Sequence, residues 1–132
     1  MEITITHIGG KNFKLAKRIY HKLSNNENIV IPIAFKTDLA TAPVILWGFF
    51  PPYSDFLPAA IVHDWLYANK YVADGIVKGY DARLFADDEM LKLSMIHNNS
   101  KGFKGFKKRF GNIIRYLIVR CLGWLYWYDV IK

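Results

Sequence analysis

Hydrophobic and polar positions change their period along this chain. Residues 2 to 8, EITITHI, set Ile3, Ile5 and Ile8 nearly in step among polar neighbours, which predicts a short strand. Gly9 and Gly10 punctuate it. The stretch 12 to 23, NFKLAKRIYHKL, fits a helix or a strand equally well. SNNEN at 24 to 28 is a strong turn signal. IVIPIAF at 29 to 35 is β-branched and interrupted by Pro32, which predicts an edge strand. Two apolar runs around a polar turn predict a hairpin in this third of the protein.

The stretch 36 to 58, KTDLATAPVILWGFFPPYSDFLP, carries Pro43, Pro51, Pro52 and Pro58, which break any long regular element. Its Val44, Ile45, Leu46, Trp47, Phe49 and Phe50 are too apolar for a free loop, so it is expected to pack across the core. Long connections of this kind are often functional. Pro58 suits the first turn of a helix running from about 58 to 71. A loop with Gly75 and Gly79 then leads to Asp81, a suitable N-cap for a second helix ending near 97. KGFKGFKKRFG at 101 to 111 reads as a basic link to a last helix from about 110 to 128. The fold expected is α+β, an N-terminal hairpin or small antiparallel sheet packed on three helices.

Length and composition narrow the class. A chain of 132 residues suits one domain over residues 1 to 132. With 52% hydrophobic and 22% charged residues, the composition favours a folded globular chain over a disordered one. A net charge of +7 favours an anionic contact, whether lipid, nucleic acid or an acidic protein. Cys121 is the sole cysteine, which excludes an internal disulfide and a cysteine-based zinc site. The start, MEITITHIGGKNFK, lacks the pattern of a signal peptide, and no run of about 18 apolar residues exists. The expectation is a soluble or peripheral protein with no integral membrane span.

Candidate chemistry sits in PAAIVHDWLYANK, residues 58 to 70. At about 100° per residue, His63, Asp64, Tyr67, Lys70 and Tyr71 share one side of a helix. Ile61, Val62, Trp65 and Leu66 share the other. The polar side is either a solvated face or a proton-transfer or metal site on a rigid scaffold. Ala59 and Ala60 would let another element approach closely. On the second helix Asp87 and Asp88 flank a Leu84–Leu91–Met95 stripe, and spacing does not choose between them. A carboxylate on one ring nitrogen would fix the histidine tautomer and leave the other nitrogen free to take a proton from water. Asp38 in KTDLATAP is either a local cap bonding Thr41 or a second carboxylate facing His63.

Taken together, FKTDLATAP, AAIVHDWLY and ADDEML resemble, in that order, a family of small bacteriophage and prophage proteins known as a domain of unknown function. That resemblance covers roughly residues 29 to 125 and implies a phage or prophage source, hence host cytoplasm or virion. More distantly, Ala59, Ala60, His63, Asp64, Tyr67, Ala86 and Asp87 are similar to the His-Asp helix and the later Ala-Asp of secretory and parvovirus-type phospholipases. The resemblance implies His63 as general base, Asp87 as its orienting group, Asp64 as a calcium ligand and Tyr67 as a brace for Asp87. Those enzymes take further calcium ligands from a glycine-rich loop, whereas the upstream segment here offers only Gly48. The His-Asp metal phosphohydrolases also carry AAxxHD-like helices but need another histidine on an upstream helix. Here His7 and His21 lie in the strand-rich part.

The C-terminal third adds a second theme. KGFKGFKKRFG interleaves basic residues with phenylalanines, and Ile113, Ile114, Leu117, Ile118, Cys121, Leu122 and Leu125 recur at helical spacing. One reading is a core helix with its Lys and Arg in solvent. The other is an interfacial element, with Lys104, Lys107, Lys108 and Arg109 on anionic head groups and Trp124 and Trp127 at the lipid boundary. Single-stranded nucleic acid is a less favoured ligand, since no recognised motif is present. The function expected is a phage-derived accessory protein with a phospholipase-like site, performing metal-assisted ester hydrolysis at a lipid surface. The alternative is a non-enzymatic virion-component or host-interaction protein whose His-Asp-Tyr cluster is structural.

Overall fold

The computed structural model describes residues 3–9, 12–37, 57–76, 79–96, 102–122 and 127–128. Five short strands precede three helices: β1 (Ile5–Gly9), β2 (Asn12–Leu15), β3 (Ile19–Lys22), β4 (Asn28–Ile31), β5 (Lys36–Thr37), α1 (Leu57–Ala68), α2 (Tyr80–Ile96) and α3 (Gly102–Leu122). The α+β architecture expected from the sequence is therefore observed, as a small antiparallel sheet with three helices. The ambiguous stretch 12 to 23 is neither one helix nor one strand. It splits into β2 and β3.

The strands form two antiparallel groups. β2 lies between β1 and β5, and β3 pairs with β4. In the β3–β4 hairpin Ile19 faces Ile31, and Tyr20 faces Val30. The period-2 alternation places Ile19, Ile29 and Ile31 in the core and leaves Tyr20 and Val30 in water. The polar turn closes as a three-residue loop. Asn26 N–H donates to the Leu23 carbonyl (3.0 Å), Leu23 N–H donates to the Glu27 carbonyl (2.8 Å), and Asn26 takes φ 71°. This is a type I turn followed by a left-handed residue, a conformation asparagine tolerates better than most. β4 stops before Pro32, which cannot donate to a ladder. The chain then turns through Ala34 to bring Lys36 and Thr37 alongside β2.

Side chains of the hairpin turn tie it to the helices. Glu89 of α2, 3% exposed, accepts hydrogen bonds from the Ser24 hydroxyl and the Ser24 N–H. Glu27 accepts from the Tyr71 hydroxyl and from the Asp74 N–H (2.6 Å) beyond α1.

α1 begins with Pro58 in its first turn, where a missing N–H is harmless. Pro58 to His63 are buried on every side of the helix, so α1 is a central rod with no wet face at this end. It ends in a Schellman motif: Tyr71 N–H donates to the Leu66 carbonyl (3.0 Å) and Lys70 N–H to the Tyr67 carbonyl (3.1 Å). Lys70 therefore occupies the left-handed position, at φ 45°, where glycine is usual.

α2 packs between α1 and α3. Its buried side is Ala82, Arg83, Ala86, Asp87, Glu89, Met90, Leu93 and Ser94, displaced from the Leu84–Leu91–Met95 stripe expected from sequence. Alanines at 59, 60, 82 and 86, each at most 1% exposed, keep side-chain bulk low along this packing. α3 starts at Gly102 and ends at Leu122, so the basic segment is helix and not a link.

A candidate active site between three helices

At Asp87 the three helices meet. Its side chain is fully buried, and four groups converge on the carboxylate. His63 Nε2 lies 2.7 Å from Oδ1, and the Tyr67 hydroxyl donates to the same oxygen at 2.7 Å. Arg120 Nη1 donates to Oδ2 at 2.7 Å, with Arg83 Nη1 3.6 Å away. His63 and Tyr67 come from α1 at i and i+4, Arg83 and Asp87 from α2 at i and i+4, and Arg120 from α3. The helical repeat stacks each pair on one face.

The pairing chooses between the two aspartates that spacing left open. Asp87 meets His63. Asp88 turns to α3, where it accepts from the Tyr116 hydroxyl at 2.7 Å. That negative partner pushes the Tyr116 pKa up to about 12.

The ring of His63 is 2% exposed and bears on Tyr67, with centroids 4.2 Å apart. Burial opposes the charged imidazolium. The carboxylates of Asp64 and Asp87 outweigh that opposition and raise the pKa to about 9. Burial likewise disfavours charge on Asp87, but hydrogen bonds from His63, Tyr67 and Arg120 hold its pKa below the ordinary carboxylate range. Tyr67, desolvated beside that carboxylate, is raised and stays a neutral donor.

One nitrogen of the ring is not tied down. His63 Nδ1 is buried and has no hydrogen-bond partner among the described residues. The nearest Asp64 oxygen is 3.8 Å away, beyond hydrogen-bonding range. Asp64 Oδ2 accepts instead from the hydroxyl of Thr37 in β5, which is 2% exposed. β5 thereby holds the Asp64 carboxylate that stands beside Nδ1.

Calcium fits the described residues poorly. It takes six to eight oxygens at typical sites, whereas Asp64 offers one carboxylate that already serves Thr37. Among the described residues no group of three His, Cys, Asp or Glu side chains could hold a metal ion. Gly48 and Asp38 lie outside the described residues.

The C-terminal candidates divide. Arg109 is exposed on α3, the side chains of Lys104, Lys107 and Lys108 lie outside those described, and so does Trp124. Trp127 corrects an expectation. It is 2% exposed, with its ring edge-on to Tyr67 at 5.1 Å and 84°, so it walls the site and does not reach a surface. The edge-to-face contact with the half-buried Tyr67 helps hold this tryptophan inside.

Two participants carried little sequence signal. Arg83 could have been found as the i−4 partner of Asp87 on a helix. Arg120 stands 33 residues from Asp87, and only the tertiary fold brings it there. Arg83 also spans two helices, donating to the Val119 carbonyl (3.2 Å) and the Arg120 carbonyl (3.3 Å) near the end of α3. Carbonyls of a last turn lack helical partners and attract a cation.

These features define an α+β protein with a buried His–Asp pair clamped by a tyrosine and two arginines. The chain belongs to the family described as Protein of unknown function (DUF1353), whose model matches residues 13–103. The match takes in both His63 and Asp87 but stops short of Arg120. No curated protein and no solved structure matches the chain.

Proposed function

We propose that this protein is an ester hydrolase of the phospholipase type that acts at a lipid surface, with His63 as general base. The observation that carries the proposal is the unbonded Nδ1 of a histidine whose other nitrogen is held at 2.7 Å by Asp87. Buried polar atoms almost always find a partner, and an exception calls for a reason such as catalysis. In the neutral ring, Nε2–H donates to Asp87 and Nδ1 presents a lone pair. A water placed there gives Nδ1 its proton while its oxygen attacks the ester carbonyl carbon. As the tetrahedral intermediate collapses, the proton passes from Nδ1 to the departing alkoxide. Tyr67 and Arg120 hold Asp87, so the ring cannot turn during the cycle.

The likeness of AAIVHDWLY and the later Ala86–Asp87 to the phospholipase helix pair supports the same assignment. The phage-like blocks imply an infected or lysogenic bacterium as the setting, where the host membrane would supply the ester. Because the pKa of His63 is raised to about 9, the ring is protonated and unable to act as a base near neutral pH. Activity should therefore climb as pH rises through about 9.

Fatty-acid release from phospholipid vesicles tests this, across about pH 6 to 10 and with either calcium or a chelator present. His63→Gln and Asp87→Asn should each reduce release at least about 100-fold, the usual weight of general-base catalysis. If the unaltered protein releases nothing at any of these conditions, the hydrolase reading fails. The second reading is then a structural cluster joining three helices, favoured by the low exposure of His63 and Asp87.

A further inference from the structure

α3 reverses the usual layout of a surface helix. Its buried positions include Asn112, Arg115 and Val119, whereas Phe106 (60% exposed), Phe110 (51%), Ile113 (43%) and Leu117 (50%) stand in water. Their steps of four, three and four residues place them on one stripe, about 17 Å long at 1.5 Å per residue. The Phe106 and Phe110 rings are nearly parallel with centroids 6.4 Å apart, so the stripe is continuous apolar surface. The inward side makes several polar contacts. Asn112 reaches the Ser94 carbonyl, Arg115 bonds Asn112, and Tyr116 bonds Asp88. The apolar stripe is thus the side of α3 left for a partner.

Charge selects the partner. α3 carries Lys104, Lys107, Lys108 and Arg109, besides the inward Arg115 and Arg120, and between 102 and 122 there is no Asp or Glu. The spacing would also suit a coiled-coil seam with a second copy, but every charge on such a pair of helices would be positive. An anionic bilayer offers what the helix lacks: an apolar interior beneath a negatively charged layer. Among the described residues no helix is long and apolar enough to cross a membrane. α3 would therefore lie in the plane of the surface.

We propose that α3 seats the protein on an anionic lipid surface, burying Phe106, Phe110, Ile113 and Leu117 at the acyl boundary with Arg109 at the head groups. This deepens the hydrolase reading by naming the surface at which it would act, yet it does not depend on catalysis. The test is co-sedimentation of the full chain with phosphatidylcholine vesicles, with and without phosphatidylglycerol. Phosphatidylglycerol should raise partitioning at least about tenfold, and the gain should shrink in high salt. The double change Phe106→Ser and Phe110→Ser should lower it about tenfold, since binding scales with apolar area buried. Both positions are exposed, so thermal unfolding should be unchanged. Arg109→Glu should weaken the phosphatidylglycerol preference without touching the stripe.

His63→Gln should bind as the unaltered chain does, which separates this inference from the hydrolase reading. Indifference of the unaltered chain to phosphatidylglycerol would overturn it, as would equal binding by the double variant. A dimer at sedimentation equilibrium that the double change dissolves would overturn it too, by showing a second copy on the stripe.

Discussion

Both oxygens of the buried Asp87 carboxylate are engaged. Oδ1 meets His63 and Tyr67, and Oδ2 meets Arg120. With His63 neutral, the formal charges of Asp64 and Asp87 cancel those of Arg83 and Arg120. Removing the carboxylate leaves the buried Arg83 and the half-buried Arg120 without their shared carboxylate. Asp87→Ala should accordingly destabilise by about 3–5 kcal/mol, the penalty for breaking a buried ionic network. Urea unfolding measures it, and a loss below about 1 kcal/mol would mean the cluster is not coupled. Much of this site could be read from spacing alone. His63 and Tyr67 lie on one helical face by the 3.6-residue repeat. What the spacing could not tell was that this face is dry.

At the scale of elements, the end of α1 carries a local conflict. Lys70 holds the left-handed conformation of a Schellman cap, which disfavours a residue with a Cβ by about 1 kcal/mol. Its side chain is exposed, so Lys70→Gly should raise stability by roughly 0.5–1 kcal/mol in chemical denaturation. A decrease would show that Lys70 contributes contacts that outweigh the strain.

The helix start in the C-terminal third was legible in one respect and obscured in another. Phe106, Phe110, Ile113 and Leu117 keep the helical period across the basic segment. Gly102 and Gly105 nonetheless suggest a link, since each glycine disfavours helix by about 1 kcal/mol. Tertiary packing prevailed: Gly105 is helical and buried. Of the two readings of this helix, the one that puts Ile113 and Leu117 on a core face does not hold, since both are exposed. Periodicity identifies a stripe but not the side on which the rest of the protein lies.

For the whole molecule the ionic cluster sets the pH range of stability. His63 titrates near 6.5 unfolded and about 9 folded, so its contribution is complete below pH 6.5 and disappears as pH rises through about 9. At about 1.4 kcal/mol per pKa unit, that amounts to roughly 3 kcal/mol. Asp87 works in the other direction. Its folded pKa is depressed, so its contribution is present above the ordinary carboxylate value and is lost as pH falls through the folded one. Stability should hold between about pH 5 and 7 and decline on both sides. Unfolding of His63→Gln across alkaline pH isolates the histidine. That variant should lose the decline between about pH 7 and 9, and an unchanged decline would assign it to other groups.

Sequence alone determined that strands precede helices, the β3–β4 hairpin and the helical face shared by His63 and Tyr67. Each follows from local rules: side-chain alternation, turn chemistry and the 3.6-residue repeat. Tertiary structure decided that Asp87 and not Asp88 meets the imidazole, that Arg120 completes the clamp, and that Trp127 turns inward. It also decided which side of α3 faces water. Those outcomes depend on how rods are rotated about their axes when they pack, and rotation is set by contacts among residues far apart in the chain.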